Sequence, residues 1–431
     1  MVCTILSLKV REQKMKKIVL WVTAVLAASA TSLSAAQQFY VDDKGQVFTT
    51  SAPDRVALEN KESPMFSKAM KLEFSGTHYF GYTAARPADS QITNNYGNSS
   101  GFELRRNYVQ VKGFFNDKDY WRVTMDATKE LSNDSAEDTD EGYADVFVKY
   151  AYLYLNNILP STSVEFGIAH RPWIDYEEHN GWYYRSFNKV VLEEKNTATE
   201  AGVDLVNSSD LGINFKTKTD IFSSEIGIYN GEGYHADKDA ANQENDSKLS
   251  VEWRLTGHLI GSGKKVGKNN RLKDTYAHLS TYGLVSHNHK DNDPVIGDSG
   301  EYDRSFYGVH AVYNQPEFLL AAQYFTAEDD KRTAGVTDAE YAGLSINGEI
   351  RPFKDWTIIG RYDDYEKENK PVSGATTINY KGDKLIAGLA YKYNKNVSFI
   401  ASAKFIDEVD ANRDDTSAAK DVYMLTTEVK W

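Results

Sequence analysis

The chain has 431 residues with 62 acidic and 49 basic side chains, and its formal net charge of -13 argues against nucleic acid as a partner. Its one cysteine, Cys3, falls in a segment read below as removed on export, which excludes a disulfide-dependent fold for the remainder. Tyrosine is abundant at 28 residues, yet beyond residue 36 no apolar run is long enough for a membrane helix, so the options are a soluble exported protein or a barrel.

From Met15 the order Met-Lys-Lys, an apolar stretch from Ile18 to Ala28, and small residues up to Ser34-Ala35-Ala36 is that of a cleavable secretory signal. The mature chain is expected to start near Gln37, with residues 1–14 as an upstream extension ahead of the signal. Losing residues 1–36 removes five bases and one acid and takes the formal charge to about -17. Residues 37–68 are too polar for a membrane wall. There Asp42-Asp43-Lys44-Gly45, flanked by Phe39-Tyr40-Val41 and Val47-Phe48, predicts a small hairpin in a periplasmic N-terminal segment.

Residues 69–431 form a series of alternating segments whose spacers are by turns long and short. Strand centres are predicted near 77, 108, 123, 149, 166, 214, 225, 253, 281, 310, 321, 346, 359, 389, 401 and 426. The count of about 16 is even, as an antiparallel barrel with both termini on one side requires. One joint breaks the rhythm: Leu259 to Asp274 is long where a short turn is due, and its Lys264, Lys265, Lys268, Arg271 and Lys273 predict a basic periplasmic loop.

Alternation is clean where Leu249, Val251, Trp253 and Leu255 oppose Ser250, Glu252, Arg254 and Thr256. It is ambiguous over 143–155, 275–286 and 384–393. A soluble sandwich would alternate in the same way. The spacers decide between the two, because only one class of them is long and acidic: Glu130 to Gly142 carries six acids and no base, and Asp407 to Asp421 six acids and two bases. The expectation is an all-β transmembrane antiparallel β-barrel in the outer membrane of a Gram-negative bacterium, with short periplasmic turns and long extracellular loops in contact with outer-membrane lipid. The last strand supports this: Tyr423, Leu425, Thr427, Val429 and Trp431 share one face, and the terminal Trp431 reads as the signal for the barrel-assembly machinery.

The catalytic inventory is thin. Nine histidines include no His-Glu-x-x-His spacing, no Gly-x-Ser-x-Gly elbow occurs, and the adjacent Glu177 and Glu178 read as solvated charge. No enzyme activity, metal or cofactor is expected.

Several ordered motifs resemble the phosphate-selective porin O and P family of Gram-negative outer membranes. They are Gly101-Phe102-Glu103-Leu104-Arg105-Arg106-Asn107-Tyr108-Val109, Phe166-Gly167-Ile168-Ala169-His170-Arg171-Pro172-Trp173, Ser209-Asp210-Leu211-Gly212-Ile213, Ile228-Tyr229-Asn230-Gly231-Glu232-Gly233 and Gly360-Arg361-Tyr362-Asp363. The resemblance implies a homotrimeric porin of sixteen strands whose third loop, about 171–210, folds into the lumen. The residues point the same way, since this longest spacer carries Trp173, Trp182, Tyr183, Tyr184 and Phe187, costly to leave in water. The alternative is a surface loop packed on a trimer partner.

Candidates for the pore constriction are Arg106, Lys112, Arg122, Arg171, Asp175, Glu177, Glu178, Arg185 and Arg361, with the arginines facing Asp175, Glu177 and Glu178. The loop departs from the phosphate-specific pattern, with four bases against eight acids. The expected function is passive diffusion of small hydrophilic solutes or ions with mild charge selectivity. The alternatives are an anion- or phosphate-selective channel, or a structural or adhesive barrel with a plugged lumen.

Overall fold

A computed structural model describes residues 40–42, 47–48, 52–53, 55–57, 71–87, 99–128, 145–194, 201–231, 233–234, 249–290, 301–331, 338–370, 379–410 and 420–431. The signal segment and most of the acidic spacers lie outside them. The chain divides into two units, Met1–Ala69 and Met70–Trp431.

In the first unit β1 (Tyr40–Asp42) pairs antiparallel with β2 (Val47–Phe48), as the hairpin reading expects. The sequence did not suggest β3 (Arg55–Ala57), which pairs with the other edge of β1.

The second unit is a closed antiparallel barrel of sixteen strands. In chain order these are β4 (Lys71–Pro87), β5 (Ser99–Phe114), β6 (Tyr120–Thr128), β7 (Asp145–Leu159), β8 (Thr162–His170), β9 (Ser209–Lys218), β10 (Phe222–Tyr229) and β11 (Ser250–Ile260). There follow β12 (Tyr276–Lys290), β13 (Glu301–Gln315), β14 (Phe318–Lys331), β15 (Asp338–Phe353), β16 (Trp356–Lys370), β17 (Asn379–Lys392), β18 (Val397–Asp410) and β19 (Lys420–Lys430). Every predicted centre falls inside one of them.

Burial is inverted relative to a soluble protein. Leu425, Ile350 and Phe166 face outward and are about 60% exposed, at 63%, 59% and 61%, while Arg254, Lys384 and Asp363 face inward and are buried. An apolar exterior over a polar interior suits a wall standing in lipid. Closure is made at the chain's end. β19 pairs with β4 from Lys430↔Thr77 to Lys420↔Pro87, and Trp431 exchanges two backbone hydrogen bonds with Gly76, at 3.0 and 3.1 Å. The Trp431 indole Nε1 donates to His78 Nε2 at 3.0 Å, and a Cβ on Gly76 would lie 2.5 Å from the indole ring. Only glycine leaves room for that ring.

Two bulges shift the inward face. Tyr79 pairs with Arg106 and Phe80 with Leu104, so Arg105 is the extra residue on β5 and both arginines of the pair reach the interior side. Likewise Thr124 pairs with Tyr150 and Met125 with Val148, which leaves Lys149 extra on β7. An inserted residue reverses strand parity locally.

The connection from β11 to β12 opens with a 3-10 turn at Gly263–Lys265 and shares a barrel mouth with the short turns, its Gly263 N–H donating to the Asp220 carbonyl at 2.9 Å. The basic loop therefore sits where the spacing put it. Its Arg271 turns inward, bonding Glu349 at 2.9 Å and lying over the rings of Tyr183 and Tyr184.

Candidate functional site

The third loop leaves β8 and enters the barrel, which rules out a surface loop for its described residues. Its first turn becomes the short helix α1 (Ile174–Asn180). Trp182, Phe187, Val190, Val191 and Leu192 are buried in a cluster with inward residues of the wall, among them Ile359, Ile386, Ile400, Val422 and Met424. Each such side chain contributes about 1.5–3 kcal/mol by leaving water. This packing seats the loop on one half of the lumen wall, against an apolar patch of its inner face.

Polar anchors fix the loop to the same half. Arg171 grips Glu252 on β11 with Nε at 2.8 Å and Nη2 at 2.5 Å. Trp173 stacks on Tyr282 with ring centroids 3.6 Å apart, and the Tyr176 hydroxyl lies 2.9 Å from His278 Nδ1. Gln323 Nε2 donates to Glu177 at 2.5 Å, and the Tyr184 hydroxyl donates to Glu349 at 2.5 Å. Arg361 donates to the Lys189 carbonyl at 2.7 Å and covers the Trp182 ring. Lys384 on β17 is buried between the carboxylates of Glu194 and Asp363 and the Ala201 carbonyl.

The other half of the lumen stays open. A cavity of about 820 Å³ lies between the loop and the wall of β4 to β9. The wall side is a sheet of tyrosines interleaved with bases. The Arg106 guanidinium lies 5.3 Å from the ring centre of Tyr79 and 4.3 Å from that of Tyr108; Arg122 lies 4.6 Å from Tyr150 and 5.6 Å from Tyr152. Lys112 Nζ sits 4.9 Å over Tyr120, which itself stacks on Tyr154 at 4.8 Å. The loop side brings Asp175, Glu178 and Arg185 to the cavity.

The acids here are compensated and the wall bases are not. Arg185 pairs with both Glu178 and Glu193. Burial alone would raise the Glu193 carboxyl, but Arg185 outweighs it and brings it down to about 2. Asp175 is likewise opposed by burial, yet His170, His179 and Lys216 together hold it well below the ordinary carboxylate range. Among the described residues Arg106, Lys112 and Arg122 form no ion pair with a carboxylate. Nine basic and four acidic side chains among the described residues border the cavity, a formal excess of five positive charges.

Of the nine constriction candidates the structure therefore brings six to the cavity: Arg106, Lys112, Arg122, Asp175, Glu178 and Arg185. Three need correcting. Arg171 is spent on Glu252, and Arg361 is buried behind the loop against Asp363 and Trp182. Glu177 points to a different face of α1 from Glu178, because neighbouring helical positions diverge by about 100°. Burial pushes its carboxyl up from the ordinary 4.5 to about 8, and neither Arg361 nor the Gln323 bond offsets this.

Residues missed in the sequence include Lys216, within 4 Å of Glu165, Asp175 and Glu225, and the tyrosine wall itself. The spacing Tyr150, Tyr152, Tyr154 marks one face of β7, but the bulge beside it hid which face.

No family model and no curated protein sequence matches the chain. Solved structures do. A loop L8 deletion mutant of OmpT, an outer membrane protein of Vibrio cholerae, is 14% identical, with 84% of this chain and 100% of that chain covered at a TM-score of 0.55. An anion-selective porin from Comamonas acidovorans is 10% identical, with 84% and 100% covered at 0.55. Pseudomonas putida OprB in its high-pH structure is 10% identical, with 84% and 94% covered at 0.51. At these identities the likeness is one of fold: the chain has the fold of outer-membrane porins, and the narrower resemblance to the O and P family rests on its local motifs alone.

Proposed function

We propose that this protein is an outer-membrane diffusion channel whose passage runs through the cavity between the third loop and the tyrosine wall, and that it favours small anions over cations. The observation that carries the reading is the uncompensated wall. Arg106, Lys112 and Arg122 line the cavity with no carboxylate ion-paired to them among the described residues, while the loop's acids are matched by Arg185, Lys216 and neighbouring histidines. Fixed charges at a narrow point set ion preference, and charge that is already paired contributes little to the field.

On this reading the protein does no chemistry and uses no cofactor. It is exported through a cleaved signal, inserted by the barrel-assembly machinery through its C-terminal strand, and assembled as a homotrimer, as its motifs suggest. Purified protein added to a planar bilayer tests the core of the proposal. Stepwise conductance increments in potassium chloride are expected. A folded, inserted barrel that carries no current would instead be the plugged, structural barrel.

A further inference from the structure

We infer that, among small anions, the passage prefers aromatic monocarboxylates, whose ring lies against the tyrosine faces while the carboxylate takes the open edge of Arg106 or Arg122. The inference rests on the channel reading above and names the solute class of that same cavity.

The arrangement of the two arginines is the first reason. A guanidinium stacked on an aromatic ring uses its faces and leaves its N–H edge outward, in the fork geometry that a carboxylate matches with two bonds. Arg106 lies over both Tyr79 and Tyr108, and none of its guanidinium N–H groups has a hydrogen-bond partner among the described residues. Arg122 spends Nε on Thr124 and Nη1 on Tyr152 and His170, so it offers a carboxylate only Nη2, which has no partner among those residues, and the full fork belongs to Arg106. The rings hold both side chains in place, so little rotamer freedom is lost when an anion arrives.

The second reason is the aromatic surface around them. Tyr120 and Tyr154, both half-buried, are stacked with an interplanar angle of 18° and offer this surface, and the buried Tyr108 and Tyr150 meet edge to face at 89°. Across the cavity Tyr183 adds a further ring. A flat, apolar solute body gains from such surface beyond the area it buries.

The third reason is the asymmetry of charge. The unpaired donors stand on one wall, while the loop side presents the carboxylates of Asp175 and Glu178. A compact anion such as phosphate needs donors on several sides and finds them on one wall only, since the loop's Arg185 is already taken by Glu178 and Glu193. A monocarboxylate turns one charged end to the arginines and an uncharged ring to the rest.

Three anions separate the possibilities. Zero-current potentials under bi-ionic conditions against chloride would be compared for benzoate, cyclohexanecarboxylate and dihydrogen phosphate. Benzoate is expected to be at least threefold more permeant than cyclohexanecarboxylate, which has the same charge and nearly the same size but no π face, and to exceed phosphate as well. Tyr120→Leu, at a half-buried ring that borders the cavity, should reduce that excess and Tyr120→Phe should keep it. Equal permeability of the two carboxylates in the wild-type channel would overturn the inference and leave the anion-preferring channel standing. A barrel that conducts no salt would overturn the channel reading and this inference with it.

Discussion

Glu177 offers the sharpest perturbation, because its carboxyl is buried with one oxygen bonded to Gln323 and the other, Oε2, without a partner among the described residues. Its folded value of about 8 lies above the ordinary 4.5, so the docked loop holds a proton that the undocked loop releases. The linkage then has a definite sign. Docking is most favourable at or below the ordinary value and weakens as pH climbs toward 8, by about 1.4 kcal/mol per pH unit, or on the order of 5 kcal/mol across the window at most. Glu193, brought down to about 2, behaves oppositely: its contribution is complete above the ordinary carboxylate range and is lost only in acid, so it is constant above pH 5. Glu177→Gln keeps the acceptor for Gln323 and removes the titration. In planar bilayers between pH 5.5 and 9, the wild-type channel is expected to show loop-derived conductance transitions that become more frequent as pH rises, and the variant a flat profile across that range. Identical profiles for the two proteins, or a wild type that grows quieter with rising pH, would refute the buried, proton-holding role of Glu177.

Other consequences follow from the same contacts. Lys384→Met strips the buried Glu194 of its cation, a loss of about 3–5 kcal/mol for a broken buried pair, and should lower the temperature at which the folded band disappears on unheated-versus-heated gels. Deleting Glu177 to Trp182 removes part of α1 and the Trp182 anchor, and should raise single-channel conductance; no change would mean that the passage lies elsewhere. At the seam, removing Trp431 or introducing Gly76→Val should sharply reduce the yield of folded barrel, whereas Lys430→Ala, at an exposed lumen position, should leave it nearly unchanged. Equal yields for all three would contradict closure through Trp431.

The barrel was legible because outward and inward faces differ in polarity along most strands, and because short turns and long loops occupy opposite ends. Legibility failed where a second physical demand acted on the same residues. Over 143–155 the extra residue Lys149 reverses parity. Over 275–286 and 384–393 the inner face mixes apolar with polar residues: Tyr282, Leu284 and Ile386 pack in the cluster that receives the third loop, beside the buried His278, Ser280 and Lys384. The loop's destination could be read from its aromatic content, but the separation of Glu177 from Glu178 depended on a seven-residue helix that has no strong local signal. Arg171 and Arg361 share residue type with Arg106 and Arg122. What distinguishes them is the nearby carboxylate, Glu252 or Asp363, which becomes a partner only once the strands are in register.

The most direct test is the zero-current potential across a potassium chloride gradient, recorded for the wild type and for the double variant Arg106→Gln/Arg122→Gln. A monovalent anion about 4 Å from one guanidinium gains about 1 kcal/mol in bulk water, about fivefold, so even one such contact gives several-fold anion preference at low salt, fading as the Debye length shrinks to about 3 Å at 1 M. The wild-type potential is expected to have the sign of an anion-preferring pore, and the double variant to fall toward zero. A cation-preferring wild type, or a double variant indistinguishable from it, would contradict a passage governed by the basic tyrosine wall.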